Sequence, residues 1–235
     1  MKTSVIIPAY NEERTICRII TELLGLSLRP EIVVVDDGST DATPELVQGF
    51  AASGVRLLRH EHNQGKGAAV RTGLAEVTGD ITLIQDADLE YYPADIPSLV
   101  MPIMAGNTEV VYGSRVLGPH RHRYLAYYLG GRMLTGVTNL LYGTHLTDVT
   151  TGHKAFQTSV LRNIGWKSAG FEFCAEVTAR LALNRVRIVE VPIRYSPRSF
   201  AEGKKIALRD GLRALLLLIR LRIAARTPIR GRPLA

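Results

Sequence analysis

Ile81-Thr82-Leu83-Ile84-Gln85-Asp86-Ala87-Asp88-Leu89-Glu90 joins a short apolar run to three acids at alternate positions. The apolar half predicts a buried strand of a parallel sheet, and ligands bind just outside the carboxyl ends of such strands. Alternate residues of an extended chain point the same way, so Asp86, Asp88 and Glu90 are predicted to share one face. Clustered carboxylates repel one another unless a cation lies among them, and Mg²⁺ binds one or two carboxylates together with phosphates. The stretch therefore predicts a cation site, with an ordinary turn capped by acids as the alternative.

Three more apolar runs precede this stretch, and each ends in a polar turn that leads into a helix. Strands are predicted over residues 4–7, 31–35 and 55–60, and helices over residues 13–24, 44–53 and 68–77. This β-α-β-α-β-α-β order predicts an α/β fold, with a mostly parallel sheet flanked by helices. Farther along the chain, the pattern predicts helices over residues 96–104 and 171–184 and strands over residues 110–113 and 187–192.

A turn with two glycines, Asn63-Gln64-Gly65-Lys66-Gly67, precedes the third of these helices. Backbone amides at the start of a helix bind phosphate readily, so this turn and Lys66 are candidates for a phosphate contact. A solvated lysine in a flexible turn is the alternative interpretation.

Length and composition suit one large α/β domain. The chain has 235 residues, of which 46% are hydrophobic, so a full core can be buried. Cys17 and Cys174 lie far apart and lack metal-ligand spacing, so both are predicted to be free thiols in a reducing compartment. The sequence begins with a strand-like run rather than a signal peptide, and it has no uninterrupted apolar run of about 18 residues. A cytoplasmic protein without a transmembrane helix is therefore expected.

The net charge of +7 is concentrated in residues 206–235, which hold seven arginines and one aspartate. Within this segment, residues 206–223 have a helical pattern with Arg209, Arg213 and Arg220 on one side and apolar residues over much of the rest. Such a basic amphipathic helix predicts attachment to a membrane surface, with packing on the domain's own sheet as the alternative. The predicted division is a domain over residues 1–205, this helix over 206–223, and a disordered tail over 224–235.

Four polar turns follow the predicted strands in a fixed order. They are Pro8-Ala9-Tyr10-Asn11-Glu12, Val35-Asp36-Asp37-Gly38-Ser39-Thr40-Asp41, Asn63-Gln64-Gly65-Lys66-Gly67 and Asp86-Ala87-Asp88. In this order they resemble the family 2 glycosyltransferases, which have a nucleotide-sugar-binding, Rossmann-like fold of the glycosyltransferase A type. Later segments resemble the polyprenyl-phosphate (dolichol-phosphate) mannose or glucose synthases of that family. These segments are Gly113-Ser114-Arg115, residues 148–154, 171–176 and 190–193, and Gly203-Lys204-Lys205.

The resemblance implies that residues 1–205 are the catalytic domain and that its first half binds the donor. The donor contacts it implies, together with the phosphate contact considered above, are Pro8, Tyr10 and Glu12 at the nucleoside, Asp37 at the base or ribose, Lys66 at a phosphate, and Asp86 at the ribose or the sugar. Asp88, with Glu90, would bind Mg²⁺ or Mn²⁺ on the donor diphosphate. Arg198, Lys204 and Lys205 would close over the diphosphate as a lid, because the departing group's negative charge must be offset.

The acceptor is predicted from a missing acid. Transfer to a hydroxyl needs a general base, and Thr150-Thr151-Gly152-His153, where relatives often carry one, has no acid. A phosphate oxygen is already ionised near neutral pH and needs cations to bind it. Four arginines lie in the right region, with the first named preferred: Arg115, Arg121, Arg123 and Arg132. The tyrosine-rich segment 124–128 and the helix over 206–223 would then meet the membrane, because tyrosine suits the interface.

Together these expectations describe an inverting, metal-dependent glycosyltransferase with Asp88, Asp148 and Arg115 as its catalytic residues. It would move a hexose from GDP-mannose or a UDP-hexose to a polyprenyl phosphate, as a cytoplasmic protein peripheral to the inner face of the membrane. Transfer to a soluble hydroxyl is the first alternative, in which Asp148, Glu172 or Glu176 becomes the general base. The second is a non-catalytic nucleotide or nucleic-acid binder. Because the basic charge lies outside the domain, no nucleic-acid partner is expected.

Overall fold

A seven-stranded sheet flanked by helices makes up the fold of the computed structural model, which describes residues 1–119, 125–198 and 208–226. The strands are β1 (Thr3–Ala9), β2 (Glu31–Asp36), β3 (Arg56–Arg59), β4 (Ile81–Ile84), β5 (Val110–Ser114), β6 (Lys154–Gln157) and β7 (Ile188–Pro192). The helices are α1 (Ile16–Leu24), α2 (Thr43–Gln48), α3 (Lys66–Glu76), α4 (Ile96–Met104), α5 (Leu125–Tyr142), α6 (Thr158–Ile164), α7 (Phe173–Leu183) and α8 (Leu208–Arg226). Short 3₁₀ turns lie at Ala51–Ser53 and Pro93–Asp95.

The strand order is β3-β2-β1-β4-β6-β5-β7, and only β6 runs against the others among the described strands. β1 pairs in parallel with β2 and β4, β2 with β3, and β5 with β7, whereas β6 is antiparallel to β4 and β5. The carboxyl ends of six strands therefore face the same way. This confirms the predicted α/β fold with a mostly parallel sheet.

The core lies on both faces of the sheet because successive strand residues point to opposite sides. Val5 and Ile7 pack with α1 and α4 on one face, and Ile6 packs with α3, α6 and α7 on the other. All three side chains are fully buried. This two-sided burial explains the near-continuous apolar runs of the parallel strands, and it holds the polar turns at their ends in place.

The expectation that Asp86, Asp88 and Glu90 continue the strand in extended geometry is wrong. β4 ends at Ile84, and the Gln85 carboxamide then donates to the carbonyl oxygens of Asp86 (3.0 Å) and Tyr91 (3.3 Å). These bonds close a turn in which Asp88 Oδ1 accepts the Glu90 N–H at 3.1 Å. The three carboxylates nevertheless line one cavity, because the turn brings them to the same edge of the sheet.

Three elements occur where the sequence pattern predicts none: α5, β6 and α6. β6 is a four-residue strand that lacks the usual alternation of buried and exposed side chains. Lys154, Ala155 and Phe156 are all buried. The strand is held by its two neighbours, β4 and β5, rather than by its own propensity.

α8 spans Leu208–Arg226 and packs against α5 and α7 rather than lying alone. Ala214 and Leu218 are buried in this contact, and the Tyr142 hydroxyl donates to the Leu218 carbonyl at 2.7 Å. The opposite side leaves large apolar side chains in solvent, with Leu212 59% and Ile223 61% exposed. Residues 227–235, the larger part of the predicted tail, lie outside the described residues.

No helix within the described ranges combines the length and the apolar character that crossing a bilayer requires.

Candidate active site

A cavity of about 800 Å³ opens at the carboxyl ends of the parallel strands. It runs from the end of β2, at Asp37, past Asp86 and Asp88 to the end of β5, at Arg115, and continues to α5 and α8. The cavity wall includes most of the residues that the sequence predicts for the site: Pro8, Tyr10, Glu12, Asp37, Lys66, Asp86, Asp88, Glu90, Arg115, Arg132, Asp148 and Arg198. Lys204, Lys205, Arg121, Arg123 and Tyr124 lie outside the described residues.

The carboxylates that follow β4 are crowded together. Burial, together with the nearby charges of Asp86 and Glu90, raises the pKa of Asp88 to about 7. Arg198 opposes this shift, because its Nη2 lies 3.1 Å from Asp88 Oδ2. The turn therefore concentrates more negative charge than the nearby arginine neutralises.

Arg198 links the turn after β1 to the turn after β4. Its Nη1 and Nη2 donate to the two carboxylate oxygens of Glu12, at 2.9 and 3.0 Å, in addition to the contact with Asp88. Its backbone N–H donates to Glu90 Oε1 at 2.8 Å. The residue predicted to cover the diphosphate thus already lies against the acids of the cavity.

Lys66 is paired with a carboxylate of the cavity wall. Its Nζ donates to Asp86 Oδ1, and this carboxylate raises the pKa of Lys66 although burial lowers it. The glycines beside it serve packing, since a Cβ on Gly67 would overlap the Ser168 carbonyl. The Ala68 amide at the start of α3 donates to the Ala169 carbonyl at 3.1 Å. The Gly67 α-carbon and the Ala68 amide at the helix start are therefore packed against Ser168 and Ala169.

Asp37 organises the turn that precedes α3. Its Oδ1 accepts the Gln64 N–H at 2.9 Å and lies 2.7 Å from His60 Nδ1, while Oδ2 accepts the Gly65 N–H at 2.7 Å. These bonds hold the nucleoside end of the predicted donor site in shape.

On the far side of the cavity, Arg115 and Asp148 form a two-bond ion pair. Arg115 Nε donates to Asp148 Oδ2 at 2.7 Å and Nη2 donates to Oδ1 at 2.8 Å. Burial disfavours the charged carboxylate, but Arg115 outweighs it and lowers the pKa of Asp148. Glu190 holds the loop from behind by accepting the N–H groups of Thr147 (2.7 Å) and Asp148 (2.9 Å). The Asp148 carboxylate is therefore suited to orient Arg115 rather than to accept a proton.

The other base candidates do not reach the cavity. Glu176 accepts N–H bonds from Lys167 and Ser168 and pairs with Arg180 at 2.7 Å, and Glu172 accepts the Gly170 N–H at 3.3 Å. Neither lines the cavity wall.

The sequence model of glycosyl transferase family 2 matches residues 4–165. The chain belongs to this family. UDP-N-acetylglucosamine--dolichyl-phosphate N-acetylglucosaminyltransferase of Methanococcus voltae is 31% identical over 240 residues, which cover 92% of this chain and 95% of that protein. The dolichol-phosphate mannosyltransferase of Pyrococcus furiosus is 32% identical over 213 residues, which cover 87% of this chain and 59% of that protein. The predicted resemblance to polyprenyl-phosphate sugar synthases is confirmed.

Solved structures of glucosyl-3-phosphoglycerate synthase from Mycobacterium tuberculosis are similar to this glycosyltransferase. The complex with Mn²⁺, UDP and glucosyl-3-phosphoglycerate has a TM-score of 0.70 and 25% identity, over 99% of this chain and 83% of that one. The complex with Mg²⁺ and UDP has a TM-score of 0.72 and 25% identity, over 99% of this chain and 82% of that one. The glycosyltransferase A type of the predicted fold is confirmed.

The donor side of the glycosyltransferase has ligands that fit a hard divalent cation. Within the described ranges, no group of three His, Cys, Asp or Glu residues is arranged to hold an ion. Asp88 and Glu90 can supply two carboxylates, which is the number that Mg²⁺ takes when substrate phosphates complete its coordination. The raised pKa of Asp88 fits the same conclusion, because a cation would relieve the crowding of charge.

The sequence pattern did not indicate Tyr91 and Tyr195, which both line the glycosyltransferase cavity. The Tyr91 hydroxyl accepts the Gly152 N–H at 2.8 Å, and the Tyr195 hydroxyl donates to Glu90 Oε2 at 2.7 Å. Tyr195 follows β7, a parallel strand, so the rule that points to the other strand ends would have found it. Tyr91 has no such signal, because its place depends on the turn after β4.

Gly152 explains why the loop before β6 approaches the acids so closely. A Cβ at this position would overlap Asp86 Oδ2 and would lie 2.9 Å from Lys66 Nζ. The buried Lys154 holds the same loop, donating to the carbonyls of Val149 (3.0 Å) and Thr151 (2.6 Å). Burial lowers the pKa of Lys154 to about 8.

Proposed function

We propose that this enzyme is an inverting hexosyltransferase that uses Mg²⁺ or Mn²⁺ and moves a sugar from a nucleoside diphosphate to a polyprenyl phosphate. GDP-mannose and UDP-hexoses are the donor candidates. One observation carries the proposal: a single cavity joins a crowded set of acids to an arginine that a buried carboxylate holds in place. The names of both dolichyl-phosphate relatives support the acceptor class.

The donor would lie along the ends of β1, β2 and β4. Pro8, Tyr10 and Glu12 line this end of the cavity, and Asp37 fixes the neighbouring turn. Asp86, held by Lys66, would bind the ribose or the sugar. The Mn²⁺, Mg²⁺ and UDP complexes of the similar synthase support a nucleotide-sugar donor with a divalent cation.

Asp88 and Glu90 would hold the cation on the donor diphosphate. When bound, the cation offsets the negative charge that develops on the departing nucleoside diphosphate. Arg198 is placed to add a fixed positive charge beside the same group, because its guanidinium lies 3.1 Å from Asp88. Lys204 and Lys205 would contribute to the same lid.

The acceptor phosphate would bind at Arg115, with Arg132 nearby. Its ionised oxygen would attack the anomeric carbon on the face opposite the diphosphate, so the bond to the diphosphate breaks as the new bond forms and the configuration inverts. No proton has to be removed, which fits an Asp148 carboxylate that is occupied by Arg115. Asp148 would act by orienting this arginine.

Beyond Arg115 the cavity has apolar side chains, as a prenyl chain requires, beside the polar Arg209 and Asp210. Its wall there includes Met133 and Leu134 of α5 and Leu212 and Leu215 of α8. Exposed apolar side chains continue outside the cavity on both helices, at Leu129, Leu216 and other positions. Amphipathic helices of this kind, with arginines beside the apolar side chains, bind membrane surfaces. We therefore propose that α5 and α8 attach the enzyme peripherally to the membrane that holds its acceptor.

Transfer of label separates this proposal from its rivals. Radiolabelled GDP-mannose, UDP-glucose and UDP-N-acetylglucosamine are each incubated with the enzyme, Mn²⁺ and polyprenyl phosphate, and the organic phase is counted. One donor should give label in that phase, and EDTA or replacement of the acceptor by polyprenol should abolish it. If none of these donors labels the lipid, the proposed function is wrong.

Sedimentation with anionic lipid vesicles tests the membrane contact. Leu216→Glu should reduce the bound fraction, whereas Met101→Glu, at an exposed apolar side chain of α4, should not. Equal binding of both variants would contradict attachment through α8.

A soluble phosphorylated acceptor is the second candidate, favoured by the likeness to glucosyl-3-phosphoglycerate synthase. Transfer to its hydroxyl would need a general base, and Asp148 is paired while Glu172 and Glu176 lie away from the cavity. Adding 3-phosphoglycerate to the same assay distinguishes the two, because its glycosylated product stays in the aqueous phase.

A further inference from the structure

Tyr195 touches both halves of the cavity at once. Its hydroxyl donates to Glu90 Oε2 at 2.7 Å, on the side of the crowded acids. Its ring lies against the guanidinium of Arg115, with Cζ 5.0 Å from the ring centroid, on the acceptor side.

The backbone on either side of Tyr195 is fixed. Arg194 donates its backbone N–H and two guanidinium N–H groups to Asp95, at 2.7–2.9 Å. The Ser196 N–H donates to the Glu90 carbonyl at 3.0 Å, and a bridge pairs Tyr195 with Tyr91 across the chain. The ring of Tyr91 packs 5.4 Å from that of Tyr195, centroid to centroid. The side chain is therefore held rigidly between its two polar partners.

We propose that Tyr195 is a positioning residue that sets the orientation of Glu90 for the cation and of Arg115 for the acceptor phosphate. The proposal rests on the proposed function, since it assigns those roles to Glu90 and Arg115.

On the donor side, the hydroxyl would act through Glu90. One oxygen of this carboxylate accepts the Arg198 N–H and the other accepts the Tyr195 hydroxyl, so its plane is fixed. Each carboxylate oxygen has two lone pairs, so an oxygen that accepts a hydrogen bond can still bind a cation. Loss of an outer hydrogen bond to a metal ligand typically weakens metal binding by about 10-fold to 100-fold.

On the acceptor side, the ring would act through Arg115. Asp148 holds the edge of the guanidinium through Nε and Nη2, and the aromatic ring supports its face. A cation against an aromatic ring contributes about 0.5–1 kcal/mol at exposed sites and more where water is excluded. With both contacts made, Nη1 has a defined direction.

The chain offers a matched control in the preceding aromatic pair. Arg194 Cζ lies 5.1 Å from the centroid of the Tyr92 ring, and Arg194 is also paired with an aspartate, Asp95. Neither Tyr92 nor Arg194 lines the cavity. Substitutions at Tyr92 therefore remove a ring from an arginine–aspartate pair without touching the site.

Three variants test the two contacts separately: Tyr195→Phe, Tyr195→Leu and Tyr92→Leu. Binding of Mn²⁺ in the presence of UDP, and separately of GDP, is measured from the electron paramagnetic resonance signal of free Mn²⁺. The KM for polyprenyl phosphate is measured with the donor that the wild-type enzyme uses. Circular dichroism and thermal unfolding establish that each variant is folded.

Tyr195→Phe should weaken Mn²⁺ binding about 10-fold and leave the acceptor KM unchanged, because it removes the hydroxyl and keeps the ring. Tyr195→Leu should weaken Mn²⁺ binding equally and also raise the acceptor KM by about 3-fold or more. Tyr92→Leu should change neither quantity.

Wild-type Mn²⁺ affinity in Tyr195→Phe would overturn the link to Glu90. An acceptor KM that rises no more in Tyr195→Leu than in Tyr92→Leu would overturn the link to Arg115. These failures differ from that of the proposed function, which would appear in the wild-type enzyme itself as no Mn²⁺ binding or no transfer to the lipid.

Discussion

Asp88 and Asp148 are both carboxylates beside an arginine in the same cavity, yet their environments differ in charge balance. Asp88 shares Arg198 with Glu12 and lies near Asp86 and Glu90, and burial with these charges raises its pKa to about 7. Asp148 has the fork of Arg115 directed at both of its oxygens, and this arginine lowers the pKa of Asp148 although burial opposes it. The donor side is short of positive charge, whereas the acceptor side is balanced.

This difference separates the roles of two residues that look alike in sequence. A carboxylate with a raised pKa among other acids gains from a cation. A carboxylate with a lowered pKa in a two-bond ion pair is a poor proton acceptor near neutral pH, but it orients its partner well. The comparison therefore favours cation binding at Asp88 and an acceptor whose attacking oxygen is already ionised and needs no general base.

The largest effect is expected from Asp88→Asn. Loss of the carboxylate removes a cation ligand, so transfer should fall by about 100-fold or more and Mn²⁺ binding should be lost. The unfolding temperature should not fall, because a raised pKa means that the folded protein prefers this group uncharged. Glu22→Gln, which removes a carboxylate paired with Arg18 on α1 outside the cavity, is the control. Activity of Asp88→Asn within about 3-fold of the wild type would rule out the proposed role of Asp88.

Arg115→Lys should give the next largest effect, confined to the acceptor side. Lysine keeps the charge opposite Asp148 but loses the planar fork, so the KM for the acceptor should rise by about 10-fold. Mn²⁺ binding and slow hydrolysis of the donor should stay as in the wild type. Arg18→Lys, at the surface pair with Glu22 on α1, should change none of these quantities. A loss of Mn²⁺ binding in Arg115→Lys would show that the two sides are not separable in the way described.

Acidification should affect the donor side before the acceptor side. Protons compete with the cation for Asp88, so Mn²⁺ affinity should fall as the pH drops through about 7, by up to about 10-fold per pH unit. Asp148 has a lowered pKa, so it stays ionised and keeps Arg115 in place over the same range. Titrations of Mn²⁺ at pH 8, 7 and 6, followed by electron paramagnetic resonance, check this expectation. A Mn²⁺ affinity that does not change between pH 8 and pH 6 would mean that Asp88 does not bind a proton in this range.

Glu190→Gln should give the smallest effect. Glu190 accepts the N–H groups of Thr147 and Asp148 with different oxygens, and glutamine keeps only one of these acceptors. One weakened bond behind the ion pair should raise the acceptor KM by about 2-fold to 3-fold, with Mn²⁺ binding unchanged. Initial rates at several acceptor concentrations measure the change. A larger rise than that of Arg115→Lys would reverse the assigned importance of these residues.

The sequence predicts which acids gather at the ends of β2 and β4, because local rules determine these positions. Asp37, Asp86 and Asp88 each follow an apolar strand, and a parallel sheet brings such positions to one edge whatever the details of the turns. What the pattern could not give was the geometry after Ile84, where the Gln85 side chain closes a turn instead of letting the strand continue.

The sequence says less about contacts between distant parts of the chain. β6 forms because two strands flank it, and Arg198 meets Glu12 across 186 positions of sequence. The contact between Lys66 and Asp86 likewise has no signal in the sequence. Residue types and strand-end positions predict which side chains gather at the edge, whereas their pairing follows from tertiary packing.

A divalent cation at Asp88 is expected to neutralise the excess negative charge of the neighbouring acids. An anomalous difference map from crystals of the enzyme soaked with Mn²⁺ and UDP or GDP tests it directly. The account predicts a peak in bonding contact with the Asp88 carboxylate and the diphosphate, with Arg198 moved from Asp88 toward the nucleotide. A nucleotide bound without a peak at Asp88, and with Arg198 still paired to that carboxylate, would contradict it.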